Sequence, residues 1–281
     1  MFFNLWDLCY NYSYMIDVIL LNFLVFLFGL CIGSFLNCAI YRLEQNQSFL
    51  GGRSYCPECK HNLVWLDLIP VLSFLFLKGR CQYCCKKISI QYPLVEISVA
   101  IVFLLITNYQ LPIFNAIDLI NLAFLFYIAS SLIVIFVYDL KFYLIPDKVL
   151  FPAIFITFLY RIVNSILIGN WELGIGNYFL AVVIASGFFL FIYLISRGQW
   201  MGFGDVKLAI LLGLTLGCPN ILVGLFLAFF LGAIIGLILI FFDKKGLKSE
   251  VPFAPFLIIG TLIAMLFGNQ IINWYSSFLI F

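Results

Sequence analysis

The chain has 281 residues, of which 65% are hydrophobic and only 10% are charged. An ordinary soluble domain is about 45–50% apolar and about 25% charged, so this chain has too few charges to cover a water-exposed surface. The composition excludes a water-soluble enzyme, a disordered chain and a nucleic-acid-binding protein. We therefore expect an all-α protein that crosses a membrane several times. The apolar runs are continuous and do not alternate with period two, which disfavours a transmembrane β-barrel.

Eight segments are predicted to be membrane spans, because a helix needs about 20 mostly apolar residues to cross a bilayer. They are residues 17–39, 93–107, 117–138, 149–168, 178–195, 206–217, 221–242 and 253–274. The second and the sixth are short. We expect the sixth either to tilt together with its flanking residues or to lie behind other helices.

Lysine and arginine predict the orientation, because they concentrate in cytoplasmic connections. Residues 1–15 contain neither, residues 41–92 contain seven, and the later connections alternate. The pattern predicts that both termini lie outside and that residues 41–92 lie in the cytoplasm. Arg161 is the only basic residue well inside a predicted span, and we expect its side chain to extend outward to the membrane surface.

Residues 41–92 also contain five of the nine cysteines. Four of these form two CxxC pairs: Cys56, Cys59, Cys81 and Cys84. The 21 residues between the pairs come close to the spacing of a four-cysteine zinc site, and a cytosolic position argues against disulfides. We predict a structural zinc ion, with a redox dithiol and incidental cysteines as the alternatives. Cys85 could compete as a ligand, but the paired spacing favours Cys84.

Residues 67–79, between the CxxC pairs, are apolar but too short to span a membrane. Pro70 interrupts them as well. We expect a re-entrant or interfacial segment that holds the metal-binding module against the membrane.

Two aspartates are candidates for catalysis, because ionisable residues in or beside membrane spans are often functional. Asp139 ends the third span in YDLKFYLIPD, and Asp205 begins the sixth in MGFGDVKL. The predicted topology places both at one membrane face. Two neighbouring carboxyl groups share a proton, so that one acts as a base and the other as an acid, as in an aspartic protease. Gly202 and Gly204 would admit a close backbone or peptide and would permit a positive φ.

The residues alone leave other interpretations open. Asp139 and Asp205 could simply cap their helices. They could also pair with the neighbouring Lys141 and Lys207. Asp147 has the position of an N-cap for the fourth span. At the level of function, the alternatives are a proton- or cation-coupled transporter and a zinc-stabilised scaffold without chemistry. Acids at helix ends rather than at mid-membrane favour an enzyme over a transporter.

Several motifs in one order resemble the type IV prepilin peptidases, the bifunctional leader peptidase and N-methyltransferase enzymes of type IV pilus and type II secretion systems. The matching segments are GSFLNCAIYRL, the two CxxC pairs, DLIPVLSFLFLKGRC, ISIQYPLVE, YDLKFYLIPD, MGFGDVKL and VPFAPFLIIG. The resemblance covers almost the whole chain and implies that Asp139 and Asp205 are the catalytic pair. Many members have a third acid two residues after the first, where this chain has Lys141.

The resemblance also implies the reaction and the location. A prepilin or pilin-like substrate would lose its basic leader after a glycine, at the cytoplasmic face of the bacterial inner membrane. The new N-terminus would then be methylated from S-adenosylmethionine. Methylation is assigned to residues 41–92, cleavage to residues 93–281, and the outer segment with the first span to residues 1–40. No dinucleotide-type glycine motif marks a methyl-donor site. Glu96 and Asp67 are the nearest acids that could contact the donor or the amine, although solvated or structural roles also explain both.

Overall fold

The computed structural model describes residues 5–48, 51–113, 115–168, 171–242 and 251–279. Within these ranges the chain is nearly all helical and contains no extended strand, which confirms the predicted all-α fold. The helices are α1 (Leu5–Glu44), α2 (Leu72–Phe76), α3 (Gln91–Gln110), α4 (Ala116–Phe142), α5 (Asp147–Ile168), α6 (Trp171–Ser196), α7 (Phe203–Leu216), α8 (Asn220–Phe241) and α9 (Ala254–Leu279). A short 3-10 helix, Trp65–Leu68, precedes α2.

In the described part of the chain, seven helices are long and apolar enough to cross a membrane. They are α1, α3, α4, α5, α6, α8 and α9. The second predicted span, which looks short in the sequence, is the 20-residue helix α3. The sixth is α7, whose 14 residues extend about 21 Å, short of a hydrocarbon core of about 30 Å. Most of α7 is buried, so it lies behind other helices, which is one of the two arrangements expected for it.

The chain forms two compact units, Met1–Ser130 and Ser131–Phe281. In the first unit, α1 packs along α3. A Cβ atom on Gly29 would lie 2.6 Å from Cα of Ala100, and one on Gly33 would lie 2.5 Å from Cα of Glu96. Small residues four positions apart allow membrane helices to approach this closely, so the two glycines set the distance between α1 and α3.

In the second unit, α7 is the central helix and contacts α5, α6, α8 and α9. Gly213 lets α7 approach α6, because a Cβ atom there would lie 2.7 Å from Cα of Val182. The neighbours of α7 therefore replace lipid around it, and a helix that is too short to span the bilayer can remain inside the protein.

The sequence predicted that the side chain of Arg161 extends outward to the membrane surface. Instead, this side chain binds the end of α7. Its Nε donates to the carbonyl of Leu214 at 3.0 Å, and a terminal nitrogen donates to the carbonyl of Thr215 at 2.5 Å. The guanidinium also lies 4.1 Å from the centre of the Tyr178 ring. The last carbonyls of a helix lack intrahelical donors and carry partial negative charge. Arg161 satisfies these groups and stabilises the C-terminal end of α7.

Candidate active site and metal centre

Each CxxC pair lies in a tight turn, and the two turns share one backbone pattern. The N–H of Cys56 donates to the carbonyl five residues later, and its own carbonyl accepts the N–H four residues later, each at 3.0 Å. Cys81 makes the same two bonds at 2.9 Å each. The residue after the second cysteine, Lys60 or Cys85, has a φ of 59° in both turns. The two halves of the module therefore present their cysteines in the same way.

The two turns bring four thiols together. The sulfur atoms of Cys56, Cys59, Cys81 and Cys84 all lie within 4.8 Å of one another. Four sulfurs around one tetrahedral zinc ion, at about 2.3 Å from it, are about 3.8 Å apart. The cluster is therefore close to the geometry of a closed four-thiolate site, and its donor set fits structural zinc.

The surroundings of Cys56 favour the charged form that binds a metal. Burial disfavours its thiolate. Hydrogen bonds from the backbone N–H groups of Cys59 and Glu58, together with bonds from neighbouring thiols, outweigh burial and lower the pKa of the Cys56 thiol to about 7. Because the thiolate is the metal ligand, this turn is suited to bind a cation at neutral pH.

Further contacts join the two turns. Lys86 forms an ion pair with Glu58, and the rings of His61 and Tyr83 lie 3.7 Å apart. The Tyr83 hydroxyl donates to the carboxylate of Asp67 at 3.2 Å. These contacts add to the four thiols in joining the two turns.

Asp67 and Glu96 both have structural partners. Besides the Tyr83 hydroxyl, Asp67 accepts the N–H of Val64 at 3.2 Å. Glu96 is buried and accepts the N–H of Val71, the residue before α2, at 2.7 Å. The two acids position the segment between the cysteine turns. Neither carboxylate is therefore assigned to a methyl donor, and we derive no step of methyl transfer from them.

Asn37 and Arg42 have structural roles that the sequence analysis did not identify. The Asn37 amide donates to the carbonyl of Tyr92 at 2.9 Å, and the Arg42 guanidinium donates to the carbonyl of Gly52 at 2.9 Å. Both side chains are buried. Polar groups on an apolar helix are costly unless they are paired, and this was the signal in the sequence. They join the C-terminal part of α1 to the start of α3 and to the cysteine module.

Asp139 and Asp205 lie in the second unit and are buried, with 5% and 9% of their surfaces exposed. Asp139 is in the last turn of α4, and Asp205 is in the first turn of α7. Ile145, six residues after Asp139, contacts Gly204 beside Asp205, so the fold places the two acids in one region of the second unit. Two buried, neighbouring carboxyl groups cannot both ionise cheaply. Two acids that share one proton supply an acid and a base in one place.

The first turn of α7 is fastened on both sides of Asp205. A Cβ atom on Gly204 would lie 3.2 Å from Cδ1 of Ile145, so the backbone packs closely there. The Nζ of Lys207 binds the two carboxylate oxygens of Asp147 at 2.6 and 2.9 Å. Ile145 lies in the short connection between α4 and α5, and Asp147 is the first residue of α5. The residues that follow Asp139 along the chain therefore hold the turn of α7 that carries Asp205.

This geometry corrects one expectation from the sequence and excludes one of the alternatives that it left open. Gly202 and Gly204 do not have a positive φ: Gly202 has a φ of −74°. Gly204 is needed for close packing instead. Lys207 binds Asp147 and not Asp205, so Asp147 does more than begin α5.

The cysteine cluster predicts about one zinc ion per chain. Cys84→Ser removes a ligand and should lower the metal content and make the remaining thiols easier to alkylate. Cys85→Ser changes the adjacent exposed thiol, which lies outside the cluster, and should leave the metal content unchanged. Elemental analysis of the purified variants measures the difference. A metal-free wild-type chain, or metal loss in Cys85→Ser alone, would contradict the assignment.

Comparison with known proteins adds an independent line of observation. The family model described as the bacterial peptidase A24 N-terminal domain matches residues 27–109, and the type IV leader peptidase family matches residues 126–237. The first match contains the cysteine module, and the second contains both buried aspartates. No solved structure matches the chain.

Curated relatives named prepilin leader peptidase/N-methyltransferase match most of the chain. The Bacillus subtilis (strain 168) protein is 33% identical over 262 residues, which cover 90% of this chain and 96% of the relative. The Aeromonas salmonicida (strain A449) protein is 32% identical over 280 residues, with 90% and 93% covered. The Legionella pneumophila protein is 32% identical over 301 residues, with 94% and 99% covered. The chain therefore belongs to the type IV leader peptidase family.

Proposed function

We propose that this protein removes the leader peptide from prepilins and pilin-like proteins and then methylates the new N-terminus. Its relatives carry both activities in their names. The observation that carries the peptidase part is the burial of Asp139 and Asp205 as neighbours at the ends of two helices. The comparisons give no support to a transporter.

Asp139 and Asp205 are the proposed catalytic pair. The ionised carboxylate takes a proton from a water molecule as the water oxygen attacks the carbonyl carbon of the scissile peptide bond. The protonated carboxyl group donates a hydrogen bond to the carbonyl oxygen as negative charge develops there. The tetrahedral intermediate then collapses, the C–N bond breaks, and the leaving amine takes up a proton. The products are a leader with a C-terminal carboxylate and a pilin with a free α-amine.

The chain is a multi-pass protein of the bacterial inner membrane. We infer from the distribution of lysine and arginine that both termini lie outside and that the catalytic pair faces the cytoplasm. In this topology α7, although short, returns the chain toward the outer side before α8. Acids at helix ends suit a substrate with a basic leader and an apolar helix. The leader remains in water, the apolar helix stays in the bilayer, and the bond to be cut lies between them.

N-methylation uses S-adenosylmethionine, which supplies the methyl group. We propose that residues 41–92 carry this part of the activity and residues 93–281 the peptidase, with residues 1–40 as the outer segment and first span. Cys56, Cys59, Cys81 and Cys84 would hold a zinc ion that stabilises residues 41–92. Because a closed four-thiolate shell leaves no open coordination position, such an ion would have a structural role only.

Removal of either carboxyl group is expected to stop cleavage. Asp139→Asn and Asp205→Asn keep the side-chain shape but remove the base or its proton-sharing partner, and cleavage should fall on the order of 10²- to 10⁴-fold or more. Asp118→Asn is the matched control, because Asp118 lies at the other end of α4, where it accepts the N–H of Asn115 at 3.1 Å. Mass spectrometry of a prepilin peptide follows the reaction. Near-normal cleavage by Asp205→Asn would refute the pair.

The Asp147–Lys207 ion pair is expected to position Asp205. Lys207→Asp or Asp147→Lys alone should lower the rate of cleavage about five-fold, as for the loss of roughly 1 kcal/mol. The double variant restores opposite charges across the same gap and should recover most of the rate. If the double variant is no faster than the slower single variant, the pair does not act through mutual attraction.

The two activities are expected to be separable. Asp139→Asn should still methylate a pilin peptide supplied without its leader, because methyl transfer does not use the carboxyl pair. Cys81→Ser combined with Cys84→Ser should harm methylation more than cleavage. Incorporation of labelled methyl groups into the precleaved peptide measures both variants. A well-folded Asp139→Asn protein without incorporation would indicate one shared site.

A further inference from the structure

The segment between the two cysteine turns has an exposed apolar surface. It includes the 3-10 helix and α2. The apolar patch consists of the exposed side chains of Trp65, Leu66, Leu72, Leu75 and Phe76. Trp65 is 73% exposed and Phe76 is 81% exposed. An apolar surface of this kind in a cytosolic module marks a contact with a membrane or with another protein.

A hydrogen bond to the buried Glu96 holds the apolar patch beside the start of α3. Glu96 lies in the second turn of α3, which is long and apolar enough to cross a membrane. Its carboxylate accepts the N–H of Val71 at 2.7 Å, and Val71 immediately precedes α2. The start of α2 is therefore held beside the first turns of a membrane span.

The helices before and after the module also keep the apolar patch close to the membrane surface. The module lies between the end of α1 and the start of α3, both candidate membrane spans. Asn37 of α1 donates to the carbonyl of Tyr92 at the start of α3. At this end of α3, the side chains of Ile90 and Leu94 are exposed. The patch and the apolar outer surface of α3 thus begin at the same level.

Basic residues follow the patch in the sequence. Lys78, Arg80 and Lys87, which come after α2, are all exposed. The acid within the segment, Asp67, is bonded to the N–H of Val64 and to the Tyr83 hydroxyl. An apolar surface with basic flanks is the pattern by which amphipathic segments lie in a membrane surface that contains anionic lipids.

We propose that the apolar patch inserts into the surface of the same bilayer that α1 and α3 cross, with the basic flanks at the lipid headgroups. The cysteine module, residues 41–92, then lies on the membrane and does not project into the cytosol. A pilin leader emerging from the bilayer would meet the module at the surface, without a movement of the module toward the membrane.

The fluorescence of Trp65 tests this placement in the full-length, metal-loaded chain. The chain is reconstituted into vesicles of phosphatidylethanolamine and phosphatidylglycerol, with or without bromine on the acyl chains. The emission of Trp65→Phe is subtracted from that of the wild type, which isolates the Trp65 signal from the other four tryptophans. We expect this signal to lose most of its intensity in brominated vesicles and to resist quenching by iodide in the water.

Phe76→Glu provides the matched variant, because it places a charge on the patch while leaving the four cysteines unchanged. Its Trp65 signal should be quenched less by bromine and more by iodide, with the zinc content retained. Two results would overturn the proposal. Iodide quenching in the wild type would place the patch in water, and resistance to both quenchers would place it against protein. The experiment measures neither cleavage nor methylation, so its outcome is independent of the proposed function.

Discussion

Carboxyl groups that are buried close together repel each other whenever both are charged. The second unit buries Asp139 at the end of α4 and Asp205 at the start of α7. Asp205 lies at the beginning of α7, the short central helix of that unit. Its first turn is fixed by Ile145 against Gly204 and by the Asp147–Lys207 ion pair. Arg161 binds its last carbonyls at the other end. These contacts at both ends of α7 fix the position of Asp205 within the second unit.

The first unit contains the small cysteine module, which has its own means of stabilisation. The cysteine module is too small to have a large apolar core, so its two turns rely on four thiols, on the Lys86–Glu58 ion pair and on hydrogen bonds to Asp67. Small folds commonly use a structural metal in this way. Glu96 then ties the module to α3. Glu96, one of the two acids that could have contacted the methyl donor, is therefore a structural link between the module and α3.

Local patterns in the sequence predicted most of the fold. Apolar runs of adequate length predicted the helices in their correct order, because the need to satisfy backbone hydrogen bonds in lipid allows few alternatives. The spacing within each CxxC pair predicted the cysteine cluster, because five or six consecutive residues determine each turn. The short sixth span left two arrangements open, a tilt together with its flanking residues or a position behind other helices, and its length alone did not decide between them.

The contacts that depend on distant residues could not be predicted in this way. Lys207 lies two residues from Asp205, yet its partner is Asp147, 60 residues earlier in the chain. The bonds from Arg161 to the end of α7 join residues more than 50 positions apart. Gly204 looked like a residue chosen for backbone freedom, but a neighbouring side chain explains it. Each of these contacts follows from the packing of α5 against α7, which no local pattern encodes.

Isotopically labelled water tests most directly whether the two carboxyl groups activate water to attack a peptide bond. The purified chain is incubated with a prepilin peptide in H₂¹⁸O under single-turnover conditions, and the released leader is analysed by mass spectrometry. Direct attack by water predicts one ¹⁸O atom in the new C-terminal carboxylate of the leader in the first turnover. A leader without ¹⁸O, its oxygen derived from an enzyme carboxylate through a covalent intermediate, would contradict the account.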